Sequence, residues 1–189
     1  MENNRTQNKI SMTYGAICGL VSIVIFMLFY FMGTDIESKA PQYLSYTVLA
    51  ILIFLGIKSY RDQDLGGYIS YSKALGTGTL IALYSGIIGA IFSVIFFQFI
   101  APDMIDQIIA AAQENMAKQG LSEEQMQMGI DWTRKFMQPT WLFVFSIITN
   151  VFLGFIFSLL ISAHFLIVLI ENASGNSFFL EPSLNGGLV

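Results

Sequence analysis

The chain has 189 residues, of which 54% are hydrophobic and 12% are charged, whereas soluble domains usually carry about 25% charged residues. Together with a mean hydropathy of +0.63, this composition excludes an ordinary water-soluble domain. The net charge of −4 excludes nucleic-acid binding, because phosphate recognition needs a basic face.

Four apolar stretches are long enough to cross a bilayer, since a helical span needs about 20 mostly apolar residues. They cover residues 10–32, 43–60, 74–100 and 141–170, and none carries Asp, Glu, Lys or Arg within its apolar core. These continuous runs lack the alternation of barrel strands. The predicted fold class is therefore all-α, an integral-membrane four-helix bundle that forms a single domain over residues 1–189. The first stretch is longer than the roughly 7–15 residues of a signal-peptide core, so we expect a retained anchor.

The segment between the third and fourth spans, residues 101–139, is too polar for the bilayer interior and is patterned as two helices. Pro102 suits a first helical turn, and Gly120 is placed to end the first helix. Ser122 and Gln125 have the spacing of a capping box that starts the second. We predict a pair of extramembrane helices whose apolar stripes lie on the membrane, pack on each other or bind a partner.

The orientation follows from the distribution of Lys and Arg in the short connecting segments. Arg5, Lys9, Lys58, Arg61 and Lys73 lie on the side of the N-terminus, and the remaining four positive residues lie on the other side. This bias predicts that both termini are cytoplasmic and that segment 101–139 lies outside, in a bacterial inner membrane.

Small residues recur every four positions in three of the spans. They are Gly15 and Gly19 in the first span, Gly78, Ala82, Gly86 and Ala90 in the third (with Ser85, Gly89 and Ser93 alongside), and Ser146, Asn150, Gly154, Ser158 and Ser162 in the fourth. Small side chains let membrane helices approach closely, so we interpret these faces as packing surfaces. The alternative is a polar seam that lines a substrate path.

Two polar residues inside the fourth span, Asn150 and His164, are candidate intramembrane sites. His164 is the only histidine; it is either a proton relay or pH sensor or a hydrogen-bonded residue near the headgroups. A hydrogen bond across helices is the expected role of Asn150. No Cys/His/carboxylate cluster accompanies them, and Cys18 is the only cysteine. We therefore predict no metal, no cofactor and no enzymatic activity.

Several short motifs resemble domain-of-unknown-function family 4199, a group of small multi-pass membrane proteins of Bacteroidota-type bacteria. They are the residues Gly56 to Arg61, the turn Gly66-Gly67-Tyr68-Ile69-Ser70, Lys73-Ala74-Leu75, Pro102-Asp103, the segment 120–125 and the fourth span. The resemblance implies a four-span inner-membrane protein and brings no activity and no catalytic residues.

Two functions are compatible with these features. The first is a non-enzymatic partner or regulatory subunit of an envelope complex, whose partners are the lipid bilayer and another envelope protein or a second copy of the chain. The second is a small transport or channel subunit that uses the polar face of the fourth span.

Overall fold

A computed structural model describes the backbone of residues 2–34 and 38–178 and the side chains of residues 5–34 and 38–167. The helices are α1 (Glu2–Phe31), α2 (Ala40–Asp64), α3 (Tyr71–Ile95), α4 (Asp103–Lys118), α5 (Glu123–Phe136) and α6 (Pro139–Phe178). A π-helical turn, Phe96–Ile100, extends α3. No β-strand occurs in the described ranges, which confirms the all-α class. The predicted cytoplasmic C-terminal tail, residues 179–189, lies outside them.

Four of these helices are long and apolar enough to cross a membrane, which confirms the predicted spans. They cover Arg5–Phe31, Ala40–Asp64, Tyr71–Ile100 and Pro139–Ile167. The helix α2 is longer than the apolar stretch 43–60, because Pro41 fits its first turn and Arg61 and Asp62 continue its last one. Hydropathy predicts only where the apolar residues end. The helix extends further because its backbone hydrogen bonds continue into the polar residues.

The helices α4 and α5 pack against each other and form a hairpin between the last two spans; residues 103–136 are called the hairpin below. Gly120 ends α4 with a φ of +73°. The predicted capping box is confirmed: the Gln125 amide donates to Ser122 Oγ at 3.3 Å, and the Ser122 amide donates to Gln125 Oε1 at 3.0 Å. Ile109 of α4 is buried, whereas no residue of α5 is buried.

The helix α3 lies at the centre of the bundle, in contact with α1, α2 and α6. We call the end of the bundle near the hairpin the hairpin side, and the end near residue 2 and the α2–α3 turn the terminal side. The buried residues of α2 are Leu49, Ile53, Gly56, Ile57 and Tyr60, and those of α6 are Gly154, Ser158, Ser162 and Phe165. Both sets lie toward the terminal side, so the core is there and the first turns of α2 and α6 contribute little to it.

Candidate functional site

The small residues of α1 let its backbone approach α3. A Cβ atom added to Gly15 would lie 2.6 Å from Tyr84 Cβ and 2.8 Å from the Ile81 carbonyl oxygen, and one added to Gly19 would lie 2.9 Å from Ile88 Cβ. Real Cβ atoms do not approach other heavy atoms so closely. Glycine at both positions is therefore required by the α1–α3 contact.

A second close approach joins α6 to α3. Gly154 lies against Ala82, so an added Cβ would collide with the alanine methyl, and Ser158 lies directly against Gly78. The Ser158 hydroxyl also donates to the Leu75 carbonyl oxygen at 2.9 Å. These contacts hold the two helices together on the terminal side by short-range packing and a hydrogen bond across helices.

Polar side chains strengthen the α1–α3 contact at the same end of the bundle. The Gln7 side-chain amide donates to Thr77 Oγ1 at 3.1 Å and to the Lys73 carbonyl oxygen at 3.4 Å. The buried Ser11 hydroxyl donates to the Thr77 carbonyl oxygen at 3.4 Å. The terminal side is therefore closed by both packing and hydrogen bonds.

The small-residue faces change character halfway along the bundle. Gly154, Ser158 and Ser162 are buried, whereas Asn150 and Ser146, one and two turns earlier on the same face, line a cavity. On α3, Gly78 and Ala82 are packed against α6, and Gly86 and Ala90, which are also buried, lie where α3 borders the cavity. One half of the α6 face is therefore packed, and the other half borders the cavity.

The cavity has a volume of about 600 Å³ and lies on the hairpin side, between α1, α2, α3 and α6 and below the end of α5. Its polar lining consists of Ser22, Ser45, Ser85, Ser93, Ser146, Thr149 and Asn150, and its aromatic lining of Phe26, Tyr46, Phe92, Phe96, Phe97, Phe136 and Phe145. None of the described residues that line it is Asp, Glu, Lys, Arg or His. The cavity is thus an uncharged space with a largely aromatic wall.

The aromatic wall is formed by ring contacts between α1 and the end of α3 with its π-helical turn. Phe26 meets Phe96 edge to face with ring centroids 4.9 Å apart, and Phe92 at 5.9 Å. Phe96 also meets Tyr30 edge to face at 5.1 Å. Phe96 is fully buried, so this wall is a fixed part of the bundle.

Asn150 lies where the closed half of the bundle meets the cavity. A Cβ atom added to Gly86 would be 3.1 Å from Asn150 Cβ, so α3 approaches the asparagine closely. The Asn150 Oδ1 atom is buried and has no hydrogen-bond partner among the described residues. The predicted hydrogen bond across helices is therefore not made by this oxygen, and a buried acceptor without a donor is uncommon in native proteins.

A smaller cavity of about 330 Å³ adjoins the first, and the two share Phe26, Ser45 and Phe97. Met104 and Ile108 of α4 line it, and Phe136 and Met137, at the end of α5, line the larger cavity. The hairpin therefore covers both cavities on the side away from the bundle core.

The other predicted polar site, His164, is exposed at the surface of α6 and is not part of the cavity lining. Its ring contacts Phe165 with centroids 6.2 Å apart. The nearby Ser162 hydroxyl is buried without a partner among the described residues. Within those residues, no group of three or more His, Cys, Asp or Glu side chains is close enough to hold a metal ion.

The sequence pattern identified one wall of the cavity but not the others. Ser146, Asn150, Gly86 and Ala90 belong to its small-residue faces, and Ser85, Gly89 and Ser93 lie alongside them. Ser45 and Tyr46 of α2 and the hairpin residues Phe136 and Met137 carry no such signal. They reach the cavity only through the arrangement of the helices.

The family model described as "Protein of unknown function (DUF4199)" matches residues 13–166, which include the second and third spans, the hairpin and most of the first and fourth spans. No curated protein and no solved structure shows a significant match to the chain.

Proposed function

The chain belongs to the DUF4199 family of proteins of unknown function, and from this premise we propose that it is a non-enzymatic membrane protein that binds a small molecule between its helices. The cavity on the hairpin side is the binding site, and the polar face of α6 at Ser146 and Asn150 forms one wall of it. Of the two functions compatible with the sequence, this is the transport-type one. The proposal that the protein binds a small molecule rests on this cavity.

The size of the cavity supports a ligand. Protein interiors are close-packed, with few voids larger than a water molecule, and ligand pockets occupy roughly 300–1,000 Å³. Membrane helices associate through packing, and the four spans do not pack against one another across this space of about 600 Å³. A bound molecule would supply packing contacts there.

The lining supports binding rather than catalysis. General acids and bases in enzymes are most often His, Asp, Glu or Lys, and none of these lines the described cavity. Serine hydroxyls need an adjacent base to become nucleophiles. The exposed His164 is not part of the lining.

Filling the cavity from Gly89 is the direct test. An added Cβ at Gly89 has no neighbour within 4 Å, so we expect Gly89→Leu to fold and to occupy the ligand's space. Because the leucine side chain would occupy part of the cavity, retention of the ligand should fall about tenfold or more. The measurement is mass spectrometry of molecules extracted from protein purified from its native membranes in mild detergent.

The control for this test is Ile91→Phe, which adds bulk to the same helix at an exposed position, with Ile91 49% exposed. This variant should retain as much ligand as the wild type. The proposal is wrong if the wild type retains no stoichiometric small molecule, or if Gly89→Leu retains the same amount.

A second candidate, a subunit of an envelope complex that binds a partner through the hairpin, is favoured by the exposed apolar residues of α5. Met128 is 58% exposed and Trp132 51% exposed, and Lys135 lies 5.0 Å above the Trp132 ring. This surface is amphipathic, and the Trp132 ring stacks on Phe136, which lines the larger cavity.

The second candidate predicts that one carboxylate on this surface removes the partner. Met128→Asp should abolish co-purification of a stoichiometric protein, because a charge at the centre of an interface is buried without a counterion. Gln127→Asp, at the neighbouring exposed position, should leave co-purification unchanged. Identical protein profiles from both variants and the wild type would exclude this candidate.

A further inference from the structure

We propose that an exposed apolar stripe on α5 lies on the surface of the membrane, so that α5 is an interfacial helix and the lipid bilayer covers this stripe. The α5 stripe consists of Met128 and Trp132, which are 58% and 51% exposed, and it ends at Phe136. This inference is independent of the ligand in the cavity, and it goes beyond the proposed binding function because it assigns an occupant to a different surface.

The α5 stripe is not the face through which the two hairpin helices pack. A Cβ atom added to Gly129 would lie 2.6 Å from Met116 Cε and 2.7 Å from Met116 Sδ, so α4 covers α5 at Gly129. Ile130, beside Gly129, is partly buried. Met128 and Trp132 lie one turn apart on the adjoining face and stay exposed, so α4 leaves the stripe uncovered.

A cluster of aromatic rings joins the α5 stripe to the start of the fourth span. Trp132 stacks on Phe136 with ring centroids 5.8 Å apart. Phe136 in turn meets Trp141 edge to face at 6.4 Å and contacts Phe145 at 5.2 Å. Trp141 is near the start of the span Pro139–Ile167, and tryptophan at the end of a span usually lies at the level of the lipid headgroups. The stripe therefore begins at the membrane boundary.

Lys135 places Trp132 close to Trp141. Its ammonium nitrogen lies 5.0 Å from the centroid of the Trp132 ring and 5.9 Å from that of the Trp141 ring. Aromatic and basic side chains anchor helices at the headgroup level, where the apolar stem of a lysine lies along the hydrocarbon and its ammonium group reaches the polar region. Since Trp141 lies at this level, Trp132 is within reach of the same lipids.

The α6 surface that continues from the cluster faces lipid. Trp141, Val144, Phe145 and Ile148 are all exposed, and their spacing puts them on one face of a helix that is apolar enough to cross a membrane. In a bilayer, lipid covers such a face. Lipid therefore reaches the α5 stripe along a continuous apolar surface, whereas a protein partner would have to displace it.

The rest of α5 has the composition of an interfacial helix. Its exposed residues outside the stripe include Glu123, Glu124, Asp131 and Arg134. Interfacial helices bury their apolar face at the boundary between headgroups and acyl chains and keep their charged face in water. With Met128 and Trp132 in the lipid, these charges remain in water.

The experiment uses the two tryptophans of the chain, each observed alone. Fluorescence of Trp141→Phe reports Trp132, and that of Trp132→Phe reports Trp141 as the reference at headgroup level. The full-length variants are reconstituted into phosphatidylcholine vesicles with and without lipids brominated on the upper part of the acyl chain. We expect brominated lipid to quench Trp132 to within about twofold of its quenching of Trp141, because both rings lie at the membrane boundary.

A charge in the α5 stripe should withdraw it from the lipid. In the Trp141→Phe background, Met128→Asp should lower the quenching of Trp132 by brominated lipid at least about twofold, because a carboxylate is unfavourable on the buried face of an interfacial helix. Gln127→Asp, at an exposed position outside the stripe, is the matched control and should leave the quenching unchanged.

The proposal is overturned if brominated lipid quenches Trp141 but not Trp132 while aqueous acrylamide quenches Trp132. The stripe then faces water in the purified protein and is free for the protein partner of the second candidate function. Equal quenching in Met128→Asp and Gln127→Asp would also overturn it. If Trp141→Phe does not fold, the difference in quenching between the wild type and Trp132→Phe gives the contribution of Trp132.

Discussion

Replacement of Gly154 by alanine is expected to destabilise the bundle, whereas the same change at Gly89 is expected to leave it unchanged or to stabilise it. An alanine methyl at position 154 would collide with Ala82 on α3, and Ala82 is itself fully buried. Neither group is a flexible side chain that can turn aside, so the two helix backbones must separate. Overpacking of this kind costs about 1–3 kcal/mol, and Gly154→Leu should cost still more.

Substitution of Gly89 by alanine is expected to change the stability of the bundle in the opposite direction to substitution of Gly154, so the two variants can be compared directly. In a helix interior, glycine is less stable than alanine by about 0.5–1 kcal/mol, and no atom lies within 4 Å of an added Cβ at Gly89. Thermal unfolding of the purified protein in mild detergent measures both variants against the wild type. Equal midpoints for Gly154→Ala and Gly89→Ala would contradict the close approach of α6 to α3.

The sequence was sufficient for the features that depend on local composition and spacing. The four spans follow from apolar length, and the Ser122–Gln125 capping box follows from a spacing that brings each side chain to the other's backbone. The four-residue repeat of Gly78, Ala82, Gly154 and Ser158 also predicted which faces are small. These properties need no knowledge of the neighbouring helix.

The cavity could not be predicted because it depends on how the helices are arranged. The repeat of small or polar residues continues through Ser146 and Asn150, yet Gly154, Ser158 and Ser162 are buried while Ser146 and Asn150 are only partly buried and border the cavity. The difference arises on α2, whose buried residues begin only at Leu49. Its first turns mix Gln42, Ser45 and Thr47 with apolar residues, and this mixture by itself does not distinguish the wall of a cavity from a face at the membrane surface.

The hairpin links the two candidate functions physically. Its α5 helix ends at Phe136, which lines the cavity together with Met137, and exposes Trp132 and Met128 one and two turns earlier on the same face. Phe136 further contacts Phe145 of α6, with ring centroids 5.2 Å apart. A partner that bound α5 would therefore contact the same helix that covers the ligand, and ligand binding and partner binding would be coupled if both occur.

Single cysteines placed before and after α3 in the chain are expected to differ fully in labelling in intact spheroplasts, with one position labelled and the other not. With both termini cytoplasmic, Gln119→Cys in the hairpin should react with a membrane-impermeant maleimide in intact spheroplasts. Gln63→Cys, near the end of α2, should react only after permeabilisation. Both positions are exposed, and the native Cys18 is 1% exposed, so background labelling should be low.

The excess of Lys and Arg on the side of the N-terminus predicts which of the two cysteines lies outside the cell. The prediction that they lie on opposite sides of the membrane depends on α3 crossing the membrane between them. Reversed labelling would place the termini outside, and labelling of both positions in intact spheroplasts would contradict a crossing by α3. The outcome also assigns the cavity to a leaflet, because its lining lies on the hairpin side of the spans.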